Sequence, residues 1–144
     1  MAWLLDTNVI SELRKGNSCS RHVRAWHDSV PPDDLFLSVL VLGEIQRGIE
    51  NIRRRDPASA QILDDWLRDL PALFGHRLLP VTSAICGIWG RFPQEQPIPD
   101  IDGLIAATAW HHGFTVVTRN TNDFLRTGVA CFNPFAGPSS RPRP

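Results

Sequence analysis

The 144-residue chain has no surplus charge of either sign, because 15 Lys and Arg balance 15 Asp and Glu. That excludes a broad basic surface as the means of holding nucleic acid, so any such contact must come from local patches. It leaves open an enzyme whose bound cations supply the positive charge. Cysteine is scarce too. Cys19, Cys86 and Cys131 are isolated and odd in number, which rules out a disulfide framework and a zinc site, and makes a reducing cytoplasm the expected setting. No apolar stretch comes near the roughly 20 residues of a membrane-spanning helix. The start, Met1-Ala2-Trp3-Leu4-Leu5, meets Asp6 too early and lacks the basic residues of a secretory leader, so none is expected. Internal repeats are absent, and the length supports one hydrophobic core rather than two.

What is present is an ordinary globular composition, 42% apolar and 21% charged. Residues 2–5 form a short apolar run that reads as a buried strand, with Asp6 at its carboxyl end. Val9, Ile10 and Leu13 give a helical stripe that Gly16 is expected to end. Ser20 can cap a second helix carrying Val23, Trp26 and Val30, closed by Pro31-Pro32. Residues 35–37 predict another strand. Ser38 then caps a helix over 39–53 with Leu42, Ile45, Ile49 and Ile52 in register. Pro57 opens the next helix, whose apolar face is Ile62, Leu63, Trp66, Leu67 and Leu70, so 39–73 reads as two antiparallel helices. A strand at 77–80 and a helix at 83–92 follow, then an extended loop set by Pro93, Pro97 and Pro99. Asp100 or Asp102 opens a helix that runs to about His112 and ends at Gly113. The β-branched run 115–118 is the clearest strand, and 129–132 a last candidate. Strands alternating with helices predict an α/β sandwich around a mainly parallel sheet. The domain is read as 1–136. The remainder, 137–144, is Pro, Ser, Arg and Gly only and is expected to be disordered.

In such a sheet, ligands bind beyond the carboxyl ends of the strands. Asp6, Glu44 (about two turns into the 39–53 helix), Asp102, and Asn120 with Asp123 all fall at such places. Carboxylates gathered at one edge repel one another, and a cluster of them calls for cations; hard oxygen ligands favour Mg²⁺ or Mn²⁺. A pair of such ions could activate a water and stabilise the leaving oxygen of a phosphodiester. Each residue also has a plainer explanation. Asp6 and Asp102 could be helix caps, and Glu44 could pair with Arg47 three residues on. Against this, Asp6 follows a buried strand, and Asp102 shares a helix face with Ile105, Ala106 and Ala109. His111-His112 is read as structural, at a helix end that favours cations, and Arg53-Arg54-Arg55 as a solvated helix end. Trp26, Trp66, Trp89 and Trp110 are read as core or interface residues.

Several enzyme classes fall on specific absences. A haloacid dehalogenase-type phosphatase needs a second Asp where Asn8 stands. A receiver domain needs an acidic pair after the first strand and a Lys after the last. A dinucleotide-binding domain needs a glycine-rich first turn, and Asp6-Thr7-Asn8 contains none.

Leu4-Leu5-Asp6-Thr7-Asn8-Val9-Ile10-Ser11-Glu12 resembles the opening motif of PIN-domain toxins of the VapC type, especially the FitB-like branch. Ser38 followed by Gly43-Glu44-Ile45 and Gly48 resembles their second motif. Asp102-Gly103-Leu104-Ile105-Ala106-Ala107-Thr108-Ala109 resembles the third, and Thr118-Arg119-Asn120 through Asp123-Phe124 the fourth. Phe132-Asn133-Pro134-Phe135 resembles their ending, so the likeness runs in order from residue 3 to about 135. It implies a PIN-like α/β/α sandwich, an endoribonuclease toxin, dependence on Mg²⁺ or Mn²⁺, a cognate VapB-like antitoxin and a homodimer. Asp6, Glu44 and Asp102 are carried over by position as metal ligands, and Asp100, two residues earlier, as a residue that supports the ligands from behind or lies in the loop. At the fourth place many relatives have Asp where this chain has Asn120, which adds no charge. Asp123 can supply it, since relatives with Thr-Arg-Asn also carry an acidic residue there. The rival from another class is a catalytically weak or inactive PIN module that only binds RNA or protein.

Overall fold

The computed structural model describes residues 1–95 and 97–137. The expected disorder of the tail concerns residues that lie, from 138 onward, outside that range. Gly137 itself adopts a φ of 86°, and a Cβ there would come within 3.3 Å of the His22 ring, so the chain is packed against the domain up to this point.

Five short strands form the sheet: β1 (Trp3–Leu5), β2 (Leu35–Ser38), β3 (Leu78–Leu79), β4 (Thr115–Val117) and β5 (Cys131–Phe132). Their spatial order is β3-β2-β1-β4-β5, and every pairing is parallel. Seven helices complete the described residues: α1 (Thr7–Leu13), α2 (Arg21–Asp28), α3 (Val39–Arg53), α4 (Pro57–Phe74), α5 (Ser83–Gly90), α6 (Asp100–His112) and α7 (Thr121–Leu125). A parallel sheet is apolar on both faces and needs helices over them. Leu4, Leu5, Leu37, Val116 and Val117 are accordingly fully buried, packed with Val9, Val41, Ile49, Ile105 and Ala106 from the helices. Among the described residues no helix is long and apolar enough to cross a membrane.

The strand order fixes where the site lies. From β1 the chain steps outward to β2 and β3, then returns to place β4 on the other side of β1. The crevice at the carboxyl ends of β1 and β4 is therefore the topological switch point, where the flanking connections leave in opposite directions. Asp6 directly follows β1, and Thr118 directly follows β4. The Asp6 amide donates to the Val117 carbonyl at 2.9 Å, so pairing of the two strands sets the spacing at that crevice.

Local chemistry follows the sequence closely in most elements. Ser20 and Ser38 cap α2 and α3 through their hydroxyls. Pro57 stands in the first turn of α4, and Gly113 ends α6 in the left-handed conformation with φ 73°. Arg53 bonds both Glu50 and Asp64, pinning α3 to α4, so one member of the arginine triplet is tied into the helix pair rather than left to solvent. Three expectations need correction. Helix α1 stops at Leu13, and Gly16 instead opens a 3-10 turn with φ 61°. The last strand narrows to Cys131–Phe132, and α7 precedes it in a stretch to which the sequence pattern assigns no element. Of the two expected starts for α6, Asp100 is the one that opens the helix, with Pro99 as its cap, so the cap reading of Asp102 fails and Asp102 lies inside the first turn.

Candidate active site

Asp6 stands at the start of α1 but does not behave as an ordinary cap. Such a side chain accepts from the second or third helical amide, whereas Asp6 accepts from Thr7 N–H at 2.8 Å. Its second oxygen accepts from the Thr118 hydroxyl at 2.7 Å and from Asn8 Nδ2 at 3.4 Å. Asp6 is only 3% exposed. Burial pushes its carboxyl above the usual range, and the bonds from Thr118, Thr7 and Asn8 offset part of the rise.

Glu44 is half-buried on α3 and accepts from the Thr7 hydroxyl at 2.6 Å, a partner on α1 rather than the Arg47 suggested by helix spacing. Burial raises its carboxyl; the Thr7 bond offsets part of the rise, the negative charge of Asp6 adds to it, and the positive charge of Arg47 opposes it. Asp102, in the first turn of α6, is pushed up to about 6 by burial and then by the charges of Asp6, Glu44 and Asp123. The four carboxylates thus sit in one electrostatic neighbourhood, although Asp6 and Asp102 are 96 positions apart in sequence (102 − 6). Among the described residues, no Lys, Arg or His forms an ion pair within 4.0 Å of Asp6, Glu44 or Asp102. Asp123 does have a basic neighbour, Arg126, at 3.9 Å.

Asn120 is linked to Asp6 through Thr118. It is exposed at the start of α7 without a side-chain capping bond, and its amide N–H donates to Thr118 Oγ1 at 3.0 Å. Asp100 is exposed as well. Three residues that the chemical reasoning passed over hold the carboxylates: Thr7, Asn8 and Thr118. Asn8 links the two motifs, since its Oδ1 accepts from the Arg119 amide at 3.1 Å while its Nδ2 lies 3.4 Å from Thr118 Oγ1. In the sequence, Thr118 closes the β-branched run Thr115-Val116-Val117-Thr118 and opens the fourth of the family-like motifs.

The donor set suits a hard divalent cation: it offers carboxylate oxygens, and Arg47 reaches Glu44 only as a nearby charge, not as an ion pair. Among the described residues no three acidic, His or Cys side chains close around a single point. One or two carboxylates plus water is the usual way Mg²⁺ is bound, so the residues fit such an ion.

The profile of the PIN domain family matches residues 3–130. The chain belongs to the PIN-domain family. Toxin FitB of Neisseria gonorrhoeae is 35% identical over 138 residues, covering 92% of this chain and 97% of that protein. VapC ribonuclease Y4jK of Sinorhizobium fredii is 36% identical over 141 residues, covering 92% and 96%. The crystal structure of FitAcB from Neisseria gonorrhoeae superposes with a TM-score of 0.82 at 34% identity, over 93% of this chain and 99% of that one. PIN-domain ribonucleases are in general dependent on divalent metal.

Proposed function

We propose that this PIN domain is the toxin of a type II toxin–antitoxin pair, an endoribonuclease that cuts RNA phosphodiester bonds with Mg²⁺ or Mn²⁺ at Asp6, Glu44 and Asp102. The observation that carries the reading is the set of mutually repelling carboxylates, buried or half-buried, with no ion pair at Asp6, Glu44 or Asp102 among the described residues. An RNA-binding module that never cuts has no use for such a set, whose charges disfavour folding unless a cation joins them. A bound divalent ion would make a water nucleophilic near neutral pH and offset charge on the leaving oxygen. The protein's own part is positional. Thr118 and Asn8 fix Asp6, Thr7 fixes Glu44, and the first turn of α6 presents Asp102. Asp123 belongs to the site by charge, and Asn120 is the fourth position by alignment, offering an amide oxygen.

Purified protein should degrade RNA with Mg²⁺ or Mn²⁺ and stop on chelation. Asp6→Asn and Asp102→Asn should each abolish cleavage. Activity that survives in both variants would overturn the mechanism, and inactivity of the wild-type chain with either metal would favour the binding module.

The relatives were solved as FitAcB and as FitAB bound to a DNA fragment, the latter with a TM-score of 0.80. By likeness this toxin pairs with a VapB-like antitoxin in the cytoplasm and forms a homodimer, which light scattering can measure. The α3–α4 pair supplies Gly48, Ile52, Leu63 and Trp66 to one wall of a cleft of about 300 Å³ that also reaches Thr7 and Glu44. An antitoxin segment laid there could extend an Arg to the carboxylates in place of a cation. Hydrogen exchange of the complex should show protection on α3 and α4; protection confined to other elements would reject the placement.

A further inference from the structure

Arg119 follows the buried Thr118 and stands at the rim of the same cleft, across from the α3–α4 wall. Its side chain is held in place without a carboxylate. The guanidinium carbon lies over the Phe135 ring, 3.8 Å from its centroid, a cation–π contact. Its main chain is fixed by Asn8, which also touches Asp6. Glu12 is the acidic group that feels the Arg119 charge. Yet both Glu12 oxygens are engaged elsewhere, one by Lys15 at 3.0 Å and the other by the Ser20 amide at 2.8 Å. A guanidinium held over a ring keeps its N–H donors for a third party, and that planar fork matches phosphate oxygens.

We propose that Arg119, laid over Phe135, grips a backbone phosphate of the RNA strand beside the one cut at the carboxylate cluster. The inference rests on the ribonuclease reading for the identity of the ligand. Four observations carry it. Arg119 lines the cleft into which Thr7 and Glu44 also face. A neutral chain needs local cations to hold a polyanion. The carboxylates by themselves repel one. The ring fixes the side chain before the ligand arrives, so less rotamer freedom is lost on binding. A phosphate carries no base identity, so this contact sets register on the strand and not sequence preference.

The test is binding of a fluorescently labelled single-stranded RNA, read by anisotropy across a salt series, in an Asp102→Asn background that holds the strand intact. Arg119→Ala should weaken binding about tenfold, the scale of one hydrogen bond to a charged group. It should also lower the slope of log affinity against log salt by about 0.7, the value for one phosphate on a single strand. Arg119→Lys should keep most of the slope while losing part of the affinity. Phe135→Leu should weaken binding with the slope unchanged, because the charge remains but is no longer held. The loss should be equal for RNAs of different sequence. Wild-type affinity and slope in Arg119→Ala would overturn the proposal, as would loss of affinity with an unchanged slope. The first of these is the result expected if this rim serves only a protein partner. Should the wild-type chain fail to cut RNA under Mg²⁺ or Mn²⁺, the reaction is refuted, while the binding series still decides the role of Arg119.

Discussion

Asp102 carries the sharpest consequence at the scale of single residues. Its carboxyl is pushed up to about 6 from an ordinary value of 3.8. A carboxyl raised on folding stabilises the native state fully below its unfolded value, and that stabilisation is lost as pH rises through the folded one. In chelator, the thermal midpoint should therefore fall between about pH 4 and pH 6 more steeply in wild type than in Asp102→Asn. Activity should show the opposite trend. The ligand must be ionised to hold a cation, so Mn²⁺ affinity measured by calorimetry should drop as pH falls through about 6. A flat affinity from pH 7 to pH 5 would place Asp102 outside the metal site. Thr118 offers a second test. Its fully buried hydroxyl donates to Asp6, so Thr118→Val should cost about 10- to 100-fold in metal affinity or cleavage. Its circular dichroism should be unaltered.

Among the elements, α5 and α6 meet most tightly beside the site. A Cβ added to Gly103 would fall 2.9 Å from Trp89 Cδ1 and Nε1, so the helices approach through a bare Cα next to Asp102. Gly103→Ala should destabilise by about 1–3 kcal/mol through overpacking, measurable by urea unfolding. Trp89→Ala should restore much of that loss in the double variant, because it clears the clash. The same scale shows what could be read in advance. Helices α3 and α4 declare themselves by long apolar periods and by Ser38 and Pro57 at their starts. Helix α7 does not. It has five residues, too few for a period to show, and its one fully buried apolar group is Phe124. Strand β5 pairs over two residues only, since Val129 packs in the core without joining the ladder. The carboxylates were legible because each lies just past a strand or near a helix start. Thr7, Asn8 and Thr118 were not, because a hydroxyl or amide that orients a carboxylate leaves no pattern along the chain. The core reading fails for Trp110, which is 53% exposed.

At the scale of the whole molecule, a cation that binds the folded chain alone must stabilise it. A metal concentration of 100 times the dissociation constant adds about 2.7 kcal/mol. The thermal midpoint should thus rise with Mn²⁺ and return on chelation, and the rise should be lost in Asp6→Asn. Equal shifts in both proteins would place the ion elsewhere. One arrangement described above also bears on when the enzyme exists at all. The central strand β1 is made first, but its neighbour β4 begins at Thr115, and Asp6 meets Thr118 only when both are present. Such distant pairings form late, since the intervening loop must close before they are rewarded. A growing chain on the ribosome therefore carries its first three motifs without a working blade, and becomes able to cut RNA only when its synthesis is nearly done.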